Sequence, residues 1–324
     1  MSEEDAQDRK AADAERRTVR RRLQRVANQV PDFRRLARFV PAGLVRVLNA
    51  LWLGAARMSN EDGFEISGYI AFMSFFAFFP FLIFLAALAG FLGEPESVPV
   101  LVDMMFSFLP PEVAGVLSPA VSEVINLRTA GLLTFGILAT MWTASSGIES
   151  LRTALNRAYG IQSPRPIWFR RLQSIAFVLL GSFALLLLSL SVILGPVIWQ
   201  VAAPALNLLA REQVIWTLAR YGVAVAVVAG SLTALHLWLP NRPRSVRAVL
   251  PGVTVTAVAW ITLGSAFSIY LSYFNSYPAT YGSLGGIVIT LFFLYLSALL
   301  FIFGAYFNAS LQALNASDDS SGAT

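Results

Sequence analysis

The chain is 324 residues long, with 56% hydrophobic residues, 13% charged residues and a formal net charge of +5. Soluble domains usually carry about 25% charged residues, so much of this protein's surface does not face water. The sequence contains no cysteine, which excludes disulfides, thiolate metal sites and cysteine nucleophiles. The arginines flank apolar segments, so a membrane location explains the basic balance better than nucleic-acid binding does, and we expect no nucleic-acid partner.

The N-terminal part of the chain is polar and changes character near Pro41. Residues 1–40 form a charged region, and apolar residues then recur at helical spacing. One side of this predicted helix is apolar and the other is basic and polar. The pattern suits a helix lying in the headgroup region of an anionic leaflet, and a helix packed against the ends of the spans fits it equally well. The apolar side comprises Leu44, Val47, Leu48, Leu51 and Ala55, and the opposite side Arg46, Asn49 and Arg57.

Six long apolar segments follow, and each can cross a hydrocarbon core that needs about 20 helical residues. They must be helices, because no water is available there to satisfy an open backbone. The sequence therefore predicts an all-α polytopic transmembrane bundle within residues 41–312, and a disordered cytoplasmic tail at 313–324. The predicted spans are 66–92, 129–149, 172–199, 221–239, 247–273 and 283–310.

The charges between these segments predict the orientation. Two connecting loops are rich in arginine, and such loops stay in the cytoplasm. With an even number of spans, both termini are then cytoplasmic. The longest outer loop, 93–128, is divided by prolines and predicts short helices on the outer surface. The arginines of the two inner loops and their flanks are Arg152, Arg157, Arg165, Arg170, Arg171, Arg242, Arg244 and Arg247.

The second span ends in the most polar stretch near any span, which closes at Gly160. Glu149, Arg152 and Asn156 share one helical face, Arg157 follows them, and Gly160 is well placed to end the helix. One interpretation is a polar face that lines a substrate cavity opening inward. The other is an ordinary interfacial helix end, whose arginines are held at the headgroups.

The sixth span begins in a glycine-rich turn. Gly282 and Gly286 form a Gly-x3-Gly pair, which allows helices to approach closely. Asn275 and Tyr281 precede the pair or adjoin it, in and beside an uncharged loop. Helix packing is the first interpretation of these residues, and a flexible outer gate is the second.

Few residues suit catalysis or metal binding. His236 is the only histidine, and the sequence around it supplies no further ligands. We therefore expect no metal, no cofactor and a structural role for His236. The spans carry no carboxylate near their centres, which argues against a proton-coupled pump. We expect no enzyme, unless the fold gathers Glu65, Glu149 and His236 into one pocket.

Four separated motifs stand out in the chain by their order and spacing. They are Ala71 to Pro80, Trp142 to Gly160 around Ala154-Leu155-Asn156-Arg157, Leu239-Pro240-Asn241, and Tyr281 to Gly285 followed by Gly304, Ala305 and Asn308. Together they resemble the motifs of the YihY/BrkB family, long mislabelled as ribonuclease BN, and the resemblance covers roughly residues 45–312. That family usually has a glutamate after its last Gly-Ala pair, where this chain has Tyr306.

The resemblance implies a multi-pass protein of the bacterial inner membrane. Some members of that family are associated with resistance to serum killing, and some with export of envelope lipid or lipopolysaccharide. Together with the polar helix end, this predicts a transporter-like protein that acts on an envelope lipid or another amphiphile. The alternative is a non-transporting scaffold or envelope-integrity factor that binds a partner, and ribonuclease activity is not expected. The expected partners are the bilayer, with anionic lipids at its cytoplasmic face, and an amphiphilic substrate, while homo-oligomerisation stays open.

Overall fold

A computed structural model of the chain describes residues 41–92, 130–162, 165–188, 191, 199, 210–273 and 284–321. The regular structure of these residues is helical, which confirms the predicted all-α class. The described helices are α1 (Ala42–Asn60), α2 (Gly63–Leu92), α3 (Ala130–Ala158), α4 (Ile167–Leu188), α5 (Ala210–Trp238), α6 (Val246–Tyr273) and α7 (Leu284–Ser321).

Three of the described helices are long and apolar enough to cross a membrane. These stretches are Gln213–Trp238, Val246–Tyr270 and Gly286–Ala316. Helices α2, α3 and α4 overlap the other three predicted spans. Their crossing of the membrane stays a prediction, as does the orientation of the bundle. The charged region 1–40 and the short helices predicted at 93–128 lie outside the described residues.

The last helix is longer than the sequence predicts. Helix α7 continues to Ser321, which corrects the disordered tail expected at 313–324 for the residues up to that point. Gln312, Ala313 and Leu314 are good helix formers. They extend a helix that is already held by packing, so they need no new nucleus.

Helix α7 lies at the centre of the described bundle. Helices that are consecutive in the chain pack against each other, and α7 also packs against α1, α2 and α3. The last helix thus returns to the first three, and the shared core includes Leu155, Leu232, Ile302, Ala305 and Tyr306. This arrangement places the C-terminal parts of α1, α3 and α7 beside one another.

Helix α1 packs with one side and leaves another side exposed. Gly54 lies against the backbone of Phe307 in α7, where an added Cβ would come within 3.1 Å of the Phe307 nitrogen. The apolar side predicted from the sequence is largely exposed, with only Leu51 half-buried. The helix therefore packs on the bundle, as one of the two interpretations expects, and its apolar strip is exposed. A position in the headgroup region stays a prediction.

Arg57 does not lie on an exposed basic face of α1, where the sequence analysis placed it. Its side chain is buried and donates to the carbonyl of Ala158 at 3.0 Å. The guanidinium also pairs with Glu61 at 3.3 Å and lies 5.5 Å from the centre of the Tyr306 ring. The helix period put Arg57 opposite the apolar strip, but tertiary packing covers that side with α3 and α7.

Helices α6 and α7 approach each other closely at two glycines. A Cβ added to Gly252 would overlap the carbonyl oxygen of Gly304, and a Cβ added to Gly304 would overlap the hydroxyl of Thr256. Small residues permit this backbone approach between apolar helices. The crossing therefore depends on the absence of side chains at both positions.

Polar groups at this crossing are satisfied from the neighbouring helix. Pro251 lies inside α6 and supplies no N–H group. On either side of the proline, Asn308 of α7 accepts from the N–H of Gly252 at 2.6 Å and donates to the carbonyl of Val249 at 2.9 Å. Asn308 is fully buried. Its amide thus supports the backbone of α6 where the proline interrupts the helical pattern.

Candidate functional site

A cleft lies between α2, α3 and α4, at the end of the bundle that the predicted topology places inside. Its volume is about 500 Å³, within the range of ligand pockets. Helix α3 lines it with positions three or four residues apart, which share a helical face. We call it the α2–α4 cleft. Its lining residues are Glu65, Ile66, Tyr69, Ser146, Glu149, Ser150, Thr153 and Arg171.

Three hydroxyl groups of α3 offer hydrogen-bond acceptors to the cleft. Ser146, Ser150 and Thr153 each donate to the backbone carbonyl four residues earlier, at 2.9, 2.9 and 3.0 Å. Hydroxyl protons are often used in this way inside helices. Because these protons are engaged, the lone pairs of the oxygens are what remains for a ligand.

The two carboxylates of the cleft differ in their partners. Glu149 forms ion pairs with Arg152 and with Arg170, and its Oε1 lies 3.3 Å from Nε of Arg170. Glu65 lies in the first turn of α2 and is exposed. Among the described residues, it forms no ion pair or side-chain hydrogen bond. Glu65 therefore carries the negative charge that is available to a ligand.

Arg171 supplies the positive charge on the α4 side of the cleft. Its guanidinium lies 4.0 Å from the centre of the Trp142 ring, a cation–π contact. Its Nη1 donates to the Ser146 hydroxyl at 3.5 Å, and its buried Nη2 has no hydrogen-bond partner in the described part of the chain. Arg171 therefore brings a positive charge to the lining of the cleft, and this charge would attract an anionic group of a ligand.

Arg152 lies beneath the cleft and is only 1% exposed. Burial lowers the pKa of Arg152 and Glu149 opposes that shift, but an arginine stays protonated in proteins. The side chain fastens α3 to α4 and to the end of α5. Its acceptors are the carboxylate of Glu149, the carbonyls of Leu239 at 3.2 Å and Arg170 at 3.1 Å, the Gln173 amide at 3.1 Å and the Ser174 hydroxyl at 3.2 Å.

Asn156 also connects α3 to the segment that follows α5. Its Oδ1 accepts from the backbone N–H of Asn241 at 2.8 Å, two residues beyond the carbonyl of Leu239 that Arg152 holds. Two of the motifs that carry the family resemblance are therefore in direct contact. The polar face of α3 anchors the segment after α5.

The end of α3 is built as the sequence predicts. The helix ends at Ala158, and Gly160 has a φ of 64°, a conformation that costs glycine little. The N–H of Ile161 donates to the carbonyl of Asn156 at 2.7 Å, which closes the last turn. Arg157 is exposed there and pairs with Asp62 at 2.6 Å.

Of the four residues predicted to line a cavity, Glu149 lines the described cleft. Arg152, Asn156 and Arg157 instead connect segments of the chain. The sequence analysis followed the face through Glu149 and Asn156, whereas the cleft uses the face through Ser146 and Thr153. The hydroxyl residues at positions 146, 150 and 153 were a signal for that face. Their engagement with α2 and α4 could not be read from α3 alone.

The residues predicted as an outer gate lie almost entirely outside the described residues. Asn275, Tyr281 and Gly282 are among those not described. Gly286 lies in the first turn of α7 and is half-buried. The choice between packing and gating at this turn stays a prediction.

His236 lies apart from the carboxylates of the cleft. It is fully buried, with Nδ1 2.9 Å from the carbonyl of Leu232 and its ring centre 4.9 Å from that of Phe301. The fold thus brings Glu65 and Glu149 into one cleft and places the histidine elsewhere. Within the described ranges, no three His, Cys, Asp or Glu side chains form a group that could hold a metal ion.

Tyr159 marks a second polar cluster beside the C-terminal half of α7. Arg244 lies 4.4 Å from the centre of its ring and donates to its carbonyl at 3.2 Å. Burial raises the pKa of Tyr159 to about 12, while the hydrogen bond from Asn308 and the charge of Arg244 oppose the shift. The phenol is therefore neutral at physiological pH, and the cluster serves as a structural contact.

Exposed apolar side chains continue from the cleft along α2 and α3. They follow the helical spacing of the lining residues, so cleft and apolar side chains occupy the same helix faces. The rings of Phe72 and Phe76 stack with their centres 6.1 Å apart. We call these exposed apolar side chains the two stripes, one on each helix. They are Tyr69, Phe72 and Phe76 on α2, and Phe135, Leu138 and Trp142 on α3.

Comparisons with a family model and with individual relatives point to the same family. The model of the family described as Virulence factor BrkB matches residues 55–323. The protein named "Putative ribonuclease-like protein YfkH" from Bacillus subtilis is 32% identical, over 67% of this chain and 79% of that protein. A UPF0761 membrane protein of Alteromonas mediterranea is 26% identical, over 65% of this chain and 69% of its own length.

Other relatives are longer than the matched part of this chain. A UPF0761 membrane protein of Rhodospirillum centenum is 26% identical over 64% of this chain, and the match covers 45% of that relative. The chain thus spans less than half of that protein. No solved structure matches the chain.

Proposed function

Because the chain belongs to the virulence factor BrkB family, we propose that it is a transporter-like protein of the bacterial inner membrane that acts on an envelope lipid or another amphiphile. Its membrane character rests on long apolar helices and on relatives named as membrane proteins. The observation that carries the proposal is the α2–α4 cleft, whose polar lining continues into the two stripes. This arrangement suits a ligand with a polar head and an apolar tail.

In the proposed topology, α2 to α7 each cross the membrane and both termini are cytoplasmic. The arginines near the inner ends of α3, α4 and α6 support this orientation. Helix α1 then lies at the inner surface, with its apolar strip in the acyl region of the leaflet. The α2–α4 cleft opens at the level of the inner headgroups, where a lipid can enter sideways.

The cleft offers a physical route for a polar head. A polar group that enters hydrocarbon without partners loses several kcal/mol of hydration free energy. The hydroxyl oxygens of Ser146, Ser150 and Thr153 and the charges of Glu65 and Arg171 replace part of that hydration. The acyl chains stay in lipid beside the two stripes. In this proposal the movement follows the lipid gradient or a partner, because the sequence offers no carboxylate at the middle of the spans.

Head-group movement in proteoliposomes tests the proposal. We expect the reconstituted full-length protein to move fluorescent phospholipid heads between leaflets faster than protein-free liposomes do. The variant Thr153→Trp fills the cleft from an exposed position and should abolish this movement. Thr254→Trp is the matched control, since Thr254 is also exposed and also donates to the carbonyl four residues earlier, but lies on α6 outside the cleft.

Two results would contradict this function. One is wild-type movement no faster than in protein-free liposomes, for zwitterionic, anionic and lipopolysaccharide-type amphiphiles alike. The other is equal movement by the wild type and by Thr153→Trp. Monodisperse elution of each variant in detergent must accompany the assay, so that a folding defect is not read as a transport defect.

An envelope scaffold that binds a partner through its basic inner face is the second candidate. The exposed Arg242 and Arg247 favour it. However, Arg57, Arg152 and Arg244 use their charges in contacts within the chain, which leaves less basic surface for a partner. A stoichiometric partner in a pull-down, together with no lipid movement, would favour the scaffold.

Catalysis is not part of this proposal. The ribonuclease-like name belongs to the Bacillus relative. In this chain, His236 is buried away from the cleft carboxylates, so it cannot exchange a proton with them. Incubation of the purified protein with RNA should therefore leave the RNA intact.

A further inference from the structure

Most hydrogen-bonding groups that line the α2–α4 cleft are acceptors, and the hydroxyl of Tyr69 adds one donor to those of Arg171. The carboxylate of Glu65 accepts only, and the three α3 hydroxyls have already used their protons inside the helix. Arg171 is the cation among the lining residues. A ligand that fits this cleft must therefore bring several donors for the acceptor side and an anionic group for Arg171.

From this excess of acceptors we infer that the cleft binds the head of a phospholipid that carries both a phosphate and a primary ammonium, as in phosphatidylethanolamine. The inference rests on the proposed function, and it names the head group that the cleft selects. The phosphate pairs with the guanidinium of Arg171, whose planar donors match phosphate oxygens. The ammonium donates to Glu65 and to the α3 hydroxyls.

The common phospholipid heads differ in the number of hydrogen-bond donors that they offer to the cleft. A primary ammonium offers three N–H donors, which matches the carboxylate and the hydroxyl oxygens. A trimethylammonium offers none, so a choline head would leave those acceptors without partners. A glycerol head offers hydroxyl donors but no positive charge for Glu65. Charge-assisted hydrogen bonds are roughly twice as strong as neutral ones, so the ethanolamine head is favoured over both.

The apolar part of the lipid is placed by the two stripes. Tyr69 and Trp142 lie at the level of the lining residues, and aromatic residues of this kind sit favourably at the headgroup level of a membrane. Phe72 and Phe76 on α2, with Leu138 on α3, continue in the direction away from the cleft. The acyl chains can therefore lie along the helices while the head occupies the cleft.

Binding selectivity of the full-length protein tests the inference. Native mass spectrometry, or displacement of a fluorescent lipid in detergent, should be run with phosphatidylethanolamine, its N-methyl and N,N-dimethyl derivatives, phosphatidylcholine and phosphatidylglycerol of identical acyl chains. We expect phosphatidylethanolamine to bind about tenfold more tightly than phosphatidylcholine or phosphatidylglycerol. Affinity should fall stepwise as each methyl group replaces an N–H donor.

Single substitutions test the ammonium contact and the phosphate contact separately. Glu65→Gln removes the exposed negative charge and should bring phosphatidylethanolamine binding closer to that of phosphatidylcholine, with the α3 hydroxyls keeping part of the preference. Arg171→Gln should weaken all the phospholipids together, because they share the phosphate. Asp62→Asn is the matched control, since it removes a nearby exposed carboxylate that pairs with Arg157 outside the cleft. Its backbone has a φ of 57°, which asparagine tolerates.

The outcomes separate this inference from the proposed function. Equal binding of the ethanolamine, choline and glycerol lipids, or unchanged selectivity in Glu65→Gln, overturns the head-group assignment while lipid binding itself persists. Loss of binding of every phospholipid, with lipid movement also absent, overturns the proposed function as well. Selectivity that is reduced in Glu65→Gln and kept in Asp62→Asn supports the inference.

Discussion

The α6–α7 crossing and the α2–α4 cleft use polar residues in opposite ways. At the crossing, Asn308 is fully buried and bonds to the backbone of α6 on both its oxygen and its nitrogen. In the cleft, Glu65 and the hydroxyl oxygens face open space. Both regions lie in apolar helices, where an unsatisfied polar group is costly. In this comparison, the saturated Asn308 supports the packing of two helices, whereas the groups that line the cleft are open to a ligand.

Arg152 is a buried polar residue that lies next to the cleft and supports it. It lines no part of the cleft, yet its ion pair holds Glu149, which does. Its remaining donors are saturated by backbone and side-chain acceptors of α4 and the end of α5. Because its donors are used within the chain, Arg152 is a structural residue that supports the lining of the cleft.

The largest expected effect is that of Arg152→Met, which keeps an unbranched apolar stem and removes the charged guanidinium. Breaking one partner from a buried ion pair typically costs about 3–5 kcal/mol, because Glu149 and several carbonyls lose their donor. We expect a large fall in the apparent Tm in detergent, or loss of monodisperse protein. Adding Glu149→Gln should recover part of the loss, as in a double-mutant cycle.

Arg157→Met serves as the control for that experiment. Arg157 pairs with Asp62 on the exposed surface, and such pairs contribute about 0–1 kcal/mol. Equal losses of stability in Arg152→Met and Arg157→Met would contradict the buried network. They would also return Arg152 to the cavity-lining role that the sequence suggested.

The next effect in size is that of Gly252→Ala at the crossing. The new Cβ overlaps the carbonyl oxygen of Gly304, and this is backbone, so the helices must separate. Overpacking of this kind costs about 1–3 kcal/mol. Gly264→Ala is the matched control on the same helix, because its added Cβ meets nothing within 4 Å and alanine favours a helix. An unchanged Tm in Gly252→Ala would show that the crossing is looser than described.

The sequence predicts the helices well because their signal is local. Runs of apolar residues and the left-handed turn at Gly160 depend on neighbours in the chain, and a described helix overlaps each predicted span. The ends are less well predicted, since α3 continues to Ala158 and α5 begins at Ala210. The tail differs as well, since the packing that anchors α7 also carries the helix to Ser321. Composition alone favours disorder there.

The cleft could be predicted only in part, because it needs three helices at once. Glu149 was chosen from the pattern of α3, whereas Glu65 and Arg171, which line the same cleft, come from α2 and α4. Arg57 shows the same limit. It was predicted on an exposed face of α1 and is buried, because α3 and α7 pack over that face. Periodicity identifies a face of a helix, but it does not say which neighbour that face meets.

A smaller effect is expected for Asn156→Leu. Asn156 accepts one hydrogen bond, from the N–H of Asn241 at 2.8 Å, and a lost bond to a neutral donor costs about 1 kcal/mol. We expect a modest fall in apparent Tm and unchanged lipid binding. Asn156→Asp keeps the acceptor oxygen and should restore the stability. A variant that lowers lipid binding while Tm is unchanged would instead place Asn156 in the ligand site.

The smallest effect on stability, and the sharpest distinction between the two regions, is expected for Thr153→Val. The substitution keeps the shape of the side chain and removes a hydroxyl whose proton is used only within α3. Exposed substitutions of this kind change stability by about 0.5 kcal/mol or less, so the Tm should stay close to that of the wild type. Binding of phosphatidylethanolamine should fall severalfold, because the ammonium loses an acceptor. Thr254→Val removes an equivalent hydroxyl from the exposed face of α6 and should leave both quantities unchanged. If the two variants bind lipid equally well, then an open acceptor in the cleft is no different from one on any lipid-facing helix, and the contrast between cleft and crossing loses its functional meaning.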